Sequence, residues 1–304
     1  MAGPLDRADP GQPDLPAGSD LHGLPQRALH AAGGAGLRRS GSALVCTVIV
    51  GLQILGPGTL LLGANRDESP DRPTAGPGVL VERPRVVGGR DLVSAGTWLA
   101  VREGRFISAL MNRRPIPGDK RDPATLRSRG LLCLDAAAQG PPLDAPSAID
   151  PGTGEPHPPR LDFALRLLGA GAYAHCTLVG VGLDSGWAIR GGHGGSPEVT
   201  PITTGWHVIT HQELDDPDEP RTKWLLERLE GAKPAGVDEA FALLGSLLRR
   251  HGEEGEPPVC IHRERFPTVS SSLLALGALG RPRYLHSPGP PCVTPYEDHS
   301  SLLA

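Results

Sequence analysis

The sequence predicts an α+β fold built on antiparallel sheets. Two pairs of apolar runs are joined by tight turns, at Gly56-Pro57-Gly58 and at Glu103-Gly104, and read as hairpins. Helical spacing occurs in blocks, around 128–139, 161–168 and 220–250, and does not alternate one for one with strands. There is no G-x-G-x-x-G or Walker loop to suggest a parallel nucleotide-binding sheet.

Residues 1–44 are rich in Pro, Gly and Ala and nearly free of aliphatic periodicity. Such a segment buries too little apolar surface to offset its chain entropy. The expectation is a disordered extension, or a stretch outside the true product. "LVCTVIVGLQIL" is β-branched and reads as a buried strand, and "TLLLGAN" as its return partner. "TWLAV" (97–101) and "RFISALMN" (105–112) form the second hairpin, and "SRGLLCLDAAAQ" (128–139) has helical spacing. Residues 140–160 are a Pro-rich loop, followed by a helical piece at 161–168. Strands are expected at 174–183, 187–190 and 206–210, then amphipathic helices at 220–230 and 237–250. Strands at 259–262, 270–276 and 283–286 close a domain spanning 45–290, with 291–304 as a C-terminal tail.

The net charge of −4 and pI near 6.3 argue against a nucleic-acid or anionic-membrane partner. The longest apolar run, about 44–55, is too short and interrupted to span a bilayer, and no signal-peptide core precedes it. Five cysteines without a C-x-x-C pair indicate neither a disulfide framework nor a zinc knuckle, so a reducing cytoplasm is expected. Only three of the 30 basic residues are lysine, which fits a GC-rich, bacterial-type coding sequence. Against that bias Asn65 and Asn112, the chain's two asparagines, stand out. Asn65 opens Asn65-Arg66-Asp67-Glu68 at the tip of an apolar run.

Cys46 lies at the head of the first strand. A lone cysteine there reads as a small buried hydrophobe. At a chain start it reads differently: an α-amine, with a pKa of about 7.7–8.0, is a ready general base for a neighbouring thiol. Val45 directly precedes it, and a GTG valine codon also serves as a bacterial start. The expectation is a product that begins Met-Cys-Thr and matures to an N-terminal Cys46.

"CTVIV", "LLLGANRDESPDRPT", "VVGGRDLVSAGTWLAV" and "RFISALMNRR" resemble the N-R-D-E motif family, also named for transport and Golgi organisation. The specific blocks are Asn65–Glu68 with Arg72-Pro73, and Gly96-Thr97-Trp98-Leu99; looser similarity continues to about His286. Members of that family usually begin Met-Cys and are distantly similar to cysteine N-terminal-nucleophile hydrolases, the penicillin V and bile-salt acylases. The resemblance implies a four-layer αββα sandwich of two antiparallel sheets. It also implies a hydrolase acting on a small-molecule C–N amide. Cys46 matches the nucleophile, Asp67 the carboxylate that orients its amine, and Asn112 an amide lining the site. The acylase arginine falls at Ala64, so Arg66, two residues on and on the same strand face, is the substitute. Asn65, Glu68, Arg90, Asp91, Trp98 and His211 complete the expected substrate site, with His211 standing where the family often has an asparagine.

Blander readings remain beside these. Asn65 and Asp67 also read as a hydrogen-bonded strand end, with Arg66 pairing Glu68 or Asp91. Trp98 reads as core. His207 and His211 share a strand face, but no third metal ligand is evident, so no metal and no obligate cofactor is expected. The alternative function is a non-catalytic carrier on the same scaffold, with haem or a lipid as its ligand.

Overall fold

The first two strands, β1 (Thr47–Leu52) and β2 (Thr59–Asp67), are buried along their whole lengths. A strand covered on both faces has no polar face, which is why both read as unbroken apolar runs. They pair antiparallel from Thr47↔Asn65 to Leu52↔Leu60. Gly56 and Gly58 turn the chain between them at φ 108° and 69°, a region that favours glycine.

The computed structural model describes residues 46–113, 122–149, 156–192 and 196–304, all within the unit Ser42–Ala304. The expected extension 1–44, Val45 and part of the Pro-rich loop lie outside the described residues. After β2 come β3 (Thr74–Val81), β4 (Val86–Asp91), β5 (Leu99–Arg102) and β6 (Phe106–Asn112). Helix α1 (Arg129–Ala138), a short β7–β8 ladder (Ala148–Ile149 with Pro156–His157) and α2 (Pro159–Ala170) follow. Then come β9 (Cys176–Val181), β10 (Gly186–Gly191), β11 (Glu198–Ile202), β12 (Gly205–Ile209), α3 (Pro220–Leu229) and α4 (Val237–Leu248). β13 (Thr268–Gly277), β14 (Arg283–Ser287) and β15 (Glu297–Asp298) end the order.

One sheet runs β12-β1-β2-β13-β14-β15 and the other β11-β10-β9-β6-β5-β4-β3, antiparallel throughout. Alternation along each strand sorts the side chains into layers. Val48, Val50, Leu60 and Leu62 meet Val101, Ile107, Ala109 and Val179 between the sheets. Ile49, Leu61 and Leu273 face α3 and α4 on one outer side, while Leu110, Leu178 and Ile189 face α1 and α2 on the other. This is the four-layer αββα sandwich.

Three strands are new and two expectations change. β3, β4 and β11 were not legible: "TAGPGVLV" and "VVGGRD" are broken by glycine and proline, and "EVTPI" is an edge strand whose Pro201 cannot donate to a ladder. The stretch 259–262 is not a strand. The amides of Val259 and Cys260 both donate to the Arg250 carbonyl, and that of Ile261 to a side chain, so no ladder partner is left. Residues 291–304 are no free tail: β15 pairs with β14, and Leu303 is buried in the inter-sheet core.

Candidate active site

Cys46 directly precedes β1, and the register sets it beside Arg66 and Asp67; its Sγ lies 3.7 Å from the Asp67 carbonyl oxygen. Strand alternation then splits the four-residue motif across two faces. Ala64 and Arg66 point between the sheets. Asn65 and Asp67 point to the helix-covered side, where α3 supplies Arg221. The Asn65 Nδ2 donates to the carbonyls of Leu248 (2.9 Å) and Val259 (3.0 Å), so its amide ties β2 to the end of α4.

Arg66 is buried with its guanidinium over the Trp98 ring, 4.1 Å from the centroid, and 3.5 Å from Glu68 Oε2. Trp98 is both a core side chain and a stacking partner. Its ring fills the space over Gly89, where a Cβ would come within 2.4 Å of it. Glu68 also accepts from the Ser69 amide at 2.9 Å and stands 3.8 Å from Arg72. Arg72 pairs with Asp91 at 2.6 Å, so Arg66 takes Glu68 and leaves Asp91 to Arg72.

A cavity of about 160 Å³ lies beside Cys46 and Arg66. Cys46, Arg66, Asp67, Glu68, Asp91, Trp98 and Asn112 all line it, so the structure brings together seven of the expected residues. Asn65, Arg90 and His211 are not among its walls. Arg90 sits next to Asp91 on β4, so its side chain leaves on the opposite face. A small apolar recess of about 20 Å³, between Val48, Ala64, Leu99 and Met111, adjoins Cys46.

The far wall was missed in the sequence. Ser128, Arg129 and Gly130 bring the N-terminal end of α1 to the cavity. Helix N-termini carry partial positive charge, and Arg129, whose pKa is lowered by burial, adds a guanidinium anchored on the His175 carbonyl at 3.0 Å. The signal was Gly96: a Cβ there would lie 2.3 Å from the Gly130 carbonyl carbon, so only glycine lets this helix approach the segment that leads into β5.

Asp67 is buried. Its Oδ1 accepts from Thr268 Oγ1 at 2.6 Å, while its Oδ2 has no hydrogen-bond partner, with Arg221 Nη1 4.0 Å away. Burial pushes its carboxyl up to about 7, against the opposing effects of Thr268 and Arg221. Burial, and then the charge of Asp67, push the Cys46 thiol up to about 12. A thiol so placed stays protonated near neutrality.

His207 is engaged at both ring nitrogens, with Asp215 Oδ2 at 2.6 Å and the Thr203 carbonyl at 2.9 Å, and so offers none to a haem iron. No helix among the described residues is long and apolar enough to cross a membrane.

No curated protein matches this chain. Among solved structures, the Caenorhabditis elegans ortholog of N-acylethanolamine-hydrolyzing acid amidase is 15% identical, with a TM-score of 0.43 over 75% of this chain and 92% of that one. A mutant of conjugated bile acid hydrolase from Clostridium perfringens is 11% identical, with a TM-score of 0.41 over 85% of this chain and 94% of that one. Residues 53–146 match the family described as Transport and Golgi organisation 2. That match spans both signature blocks, Asn65–Glu68 and Gly96–Leu99, and every residue lining the cavity except Cys46.

Proposed function

We propose that the protein is a cysteine N-terminal-nucleophile amidohydrolase for a small-molecule C–N amide, active in the form whose chain starts at Cys46. The observation that carries this reading is Asp67 Oδ2, a buried carboxylate oxygen without a hydrogen bond, on the residue next to Cys46. A carboxylate left so is costly unless a donor meets it. A protonated α-amine on Cys46 is such a donor.

In the proposed reaction the neutral α-amine takes the Cys46 thiol proton as sulfur attacks the substrate carbonyl. Asn112 Nδ2 and the α1 end with Arg129 offer donors to the oxyanion. The C–N bond breaks, the α-ammonium returns its proton to the leaving amine, and a thioester remains on Cys46. Water then attacks the thioester, releasing the carboxylic acid and restoring the thiol. Arg66 and Trp98 shape the substrate side. A cavity of about 160 Å³ lies below the roughly 300–1,000 Å³ of pockets for drug-sized ligands, which favours a small acyl group.

The test is a chain expressed to begin Met-Cys46, with its N-terminus verified by intact mass and incubated with short-chain N-acyl amides and an acyl-transferring cysteine probe. Stoichiometric labelling that Cys46→Ser abolishes, with amide turnover, is expected. A verified N-terminal Cys46 that neither labels nor turns over amides overturns the reading.

A second reading, a non-catalytic binding pocket, is favoured by the Cys46 thiol held up at about 12 in the chain with residues ahead of it. Saturable ligand binding that Cys46→Ala leaves intact, without turnover, would support it. Haem is a poor fit, since His207 is engaged and the cavity is small.

A further inference from the structure

Away from the cavity, four soft donors converge from three separate segments. His251 follows the end of α4; Cys260 and His262 stand two residues apart on the irregular stretch 259–262; Cys292 sits on the turn between β14 and β15. One ligand atom from each lies within 4.8 Å of all the others.

The separations suit a metal better than a packed core. Cys260 Sγ is 3.5 Å from Cys292 Sγ and 3.6 Å from His262 Nε2, and His262 Nε2 is 3.2 Å from Cys292 Sγ. A tetrahedron with Zn–S of about 2.3 Å and Zn–N of about 2.0–2.1 Å has S···S edges of about 3.8 Å and S···N edges of about 3.6 Å. These three distances are within about 0.4 Å of those edges, and the His251 ligand atom lies within 4.8 Å of the other three. His251 meets His262 edge-on, with ring centroids 4.6 Å apart, and both rings are solvent-exposed, so burial does not account for their meeting. Cys260 and Cys292 are both free thiols.

We propose that His251, Cys260, His262 and Cys292 form a tetrahedral Cys2His2 site for zinc. On binding, the two thiols release their protons to solvent and the two histidines ligate as neutral imidazoles. Four protein ligands leave no open position, which makes the site structural rather than hydrolytic. It fastens the end of α4, the stretch 259–262 and the C-terminal segment to one another. Ile261, between two of the ligands, donates its N–H to Thr268 Oγ1 at 2.8 Å, and Thr268 holds Asp67 at 2.6 Å. The metal therefore anchors the wall behind Asp67, whatever chemistry the cavity performs. Sequence spacing gave no sign of it, because the ligands are spread over 42 positions, from 251 to 292, without a C-x-x-C pair.

The test is a cobalt titration of the full reduced chain without oxygen, read by absorption. A thiolate-to-cobalt charge-transfer band with tetrahedral d–d bands, saturating at one equivalent and displaced by zinc, is expected. Cys292→Ser, a change on a half-buried turn, and Cys260→Ser should each lose the band, while Cys46→Ser retains it. Elemental analysis of the isolated protein should give one zinc per chain, and neither Cys260→Ser nor Cys292→Ser should hold it. A reduced, folded chain that gives no charge-transfer band overturns the proposal, and so does a band that persists in both cysteine variants. A Cys260–Cys292 disulfide in protein handled without oxygen would also overturn it.

Discussion

Thr268 Oγ1 donates a 2.6 Å hydrogen bond to Asp67 Oδ1 and accepts a 2.8 Å one from the Ile261 amide. One hydroxyl thus joins β13, the end of β2 and the irregular stretch that 259–262 adopts in place of a strand. All three groups are buried, so water cannot replace the hydroxyl. Thr268→Val keeps the shape and removes both bonds. It should cost about 1–3 kcal/mol for each group left without a partner. Urea unfolding at pH 7 measures this; a loss below about 0.5 kcal/mol would show the hydroxyl to be dispensable.

Asp67 makes stability depend on pH. Its carboxyl is pushed from 3.8 up to about 7. Between those values the folded chain holds a proton that the unfolded chain has released, so stability falls as pH rises. The contribution is complete below about pH 4 and gone above about pH 7, and at 1.36 kcal/mol per pH unit it amounts to at most about 4 kcal/mol. Asp67→Asn should flatten this part of the curve of unfolding free energy against pH. A chain that starts at Cys46 should also flatten it, because its ammonium opposes the effect of burial. Superimposable pH curves for the wild-type chain and Asp67→Asn would contradict the assignment.

Asn65 is the motif residue whose role the structure places most firmly outside the cavity. Its two amide hydrogens meet the Leu248 and Val259 carbonyls. Asn65→Asp removes both donors and sets a carboxylate against two carbonyl oxygens, so it should destabilise more than Asn65→Ala, itself about 2–4 kcal/mol. Thermal unfolding with a substrate-independent probe orders the three proteins. Equal stability of wild type and Asn65→Ala would exclude the tie.

The part of this arrangement that the sequence displayed is local. Buried strands show as apolar runs, so β1, β2 and β6 were legible, and the charged end of β2 marked the cavity. Register is not local. Nothing in "ANRD" shows that Asn65 and Asp67 turn toward α3 and α4 while Arg66 turns inward, because that depends on which face each sheet covers. The same limit hid Arg129 and Thr268, which arrive from 62 and 201 positions beyond Asp67. It also made 259–262 look like a strand, since β-branched and apolar residues satisfy burial equally well when their amides bond elsewhere.

Gly96 offers the sharpest test of how the cavity is closed. A Cβ at this position would lie 2.3 Å from the Gly130 carbonyl carbon and 2.6 Å from the Leu131 nitrogen, both backbone atoms. No rotamer change relieves contacts of that kind, so the first turn of α1 must move. That turn is held to the segment before β5 by the Thr97 amide, which donates to the Gly130 carbonyl at 3.0 Å, and it carries Arg129 and Gly130 into the cavity wall. Gly96→Ala should therefore destabilise by at least the about 1–3 kcal/mol of an overpacked core. It should also lower any Cys46-dependent labelling more than stability alone explains, because the donors of the far wall shift with the helix. Asp67→Asn and Gly96→Ala act on opposite walls, so combined in one chain their stability effects should add within about 0.5 kcal/mol. Unfolding curves for the two single variants and the double variant decide this, and strong coupling would mean that the two walls move as one unit.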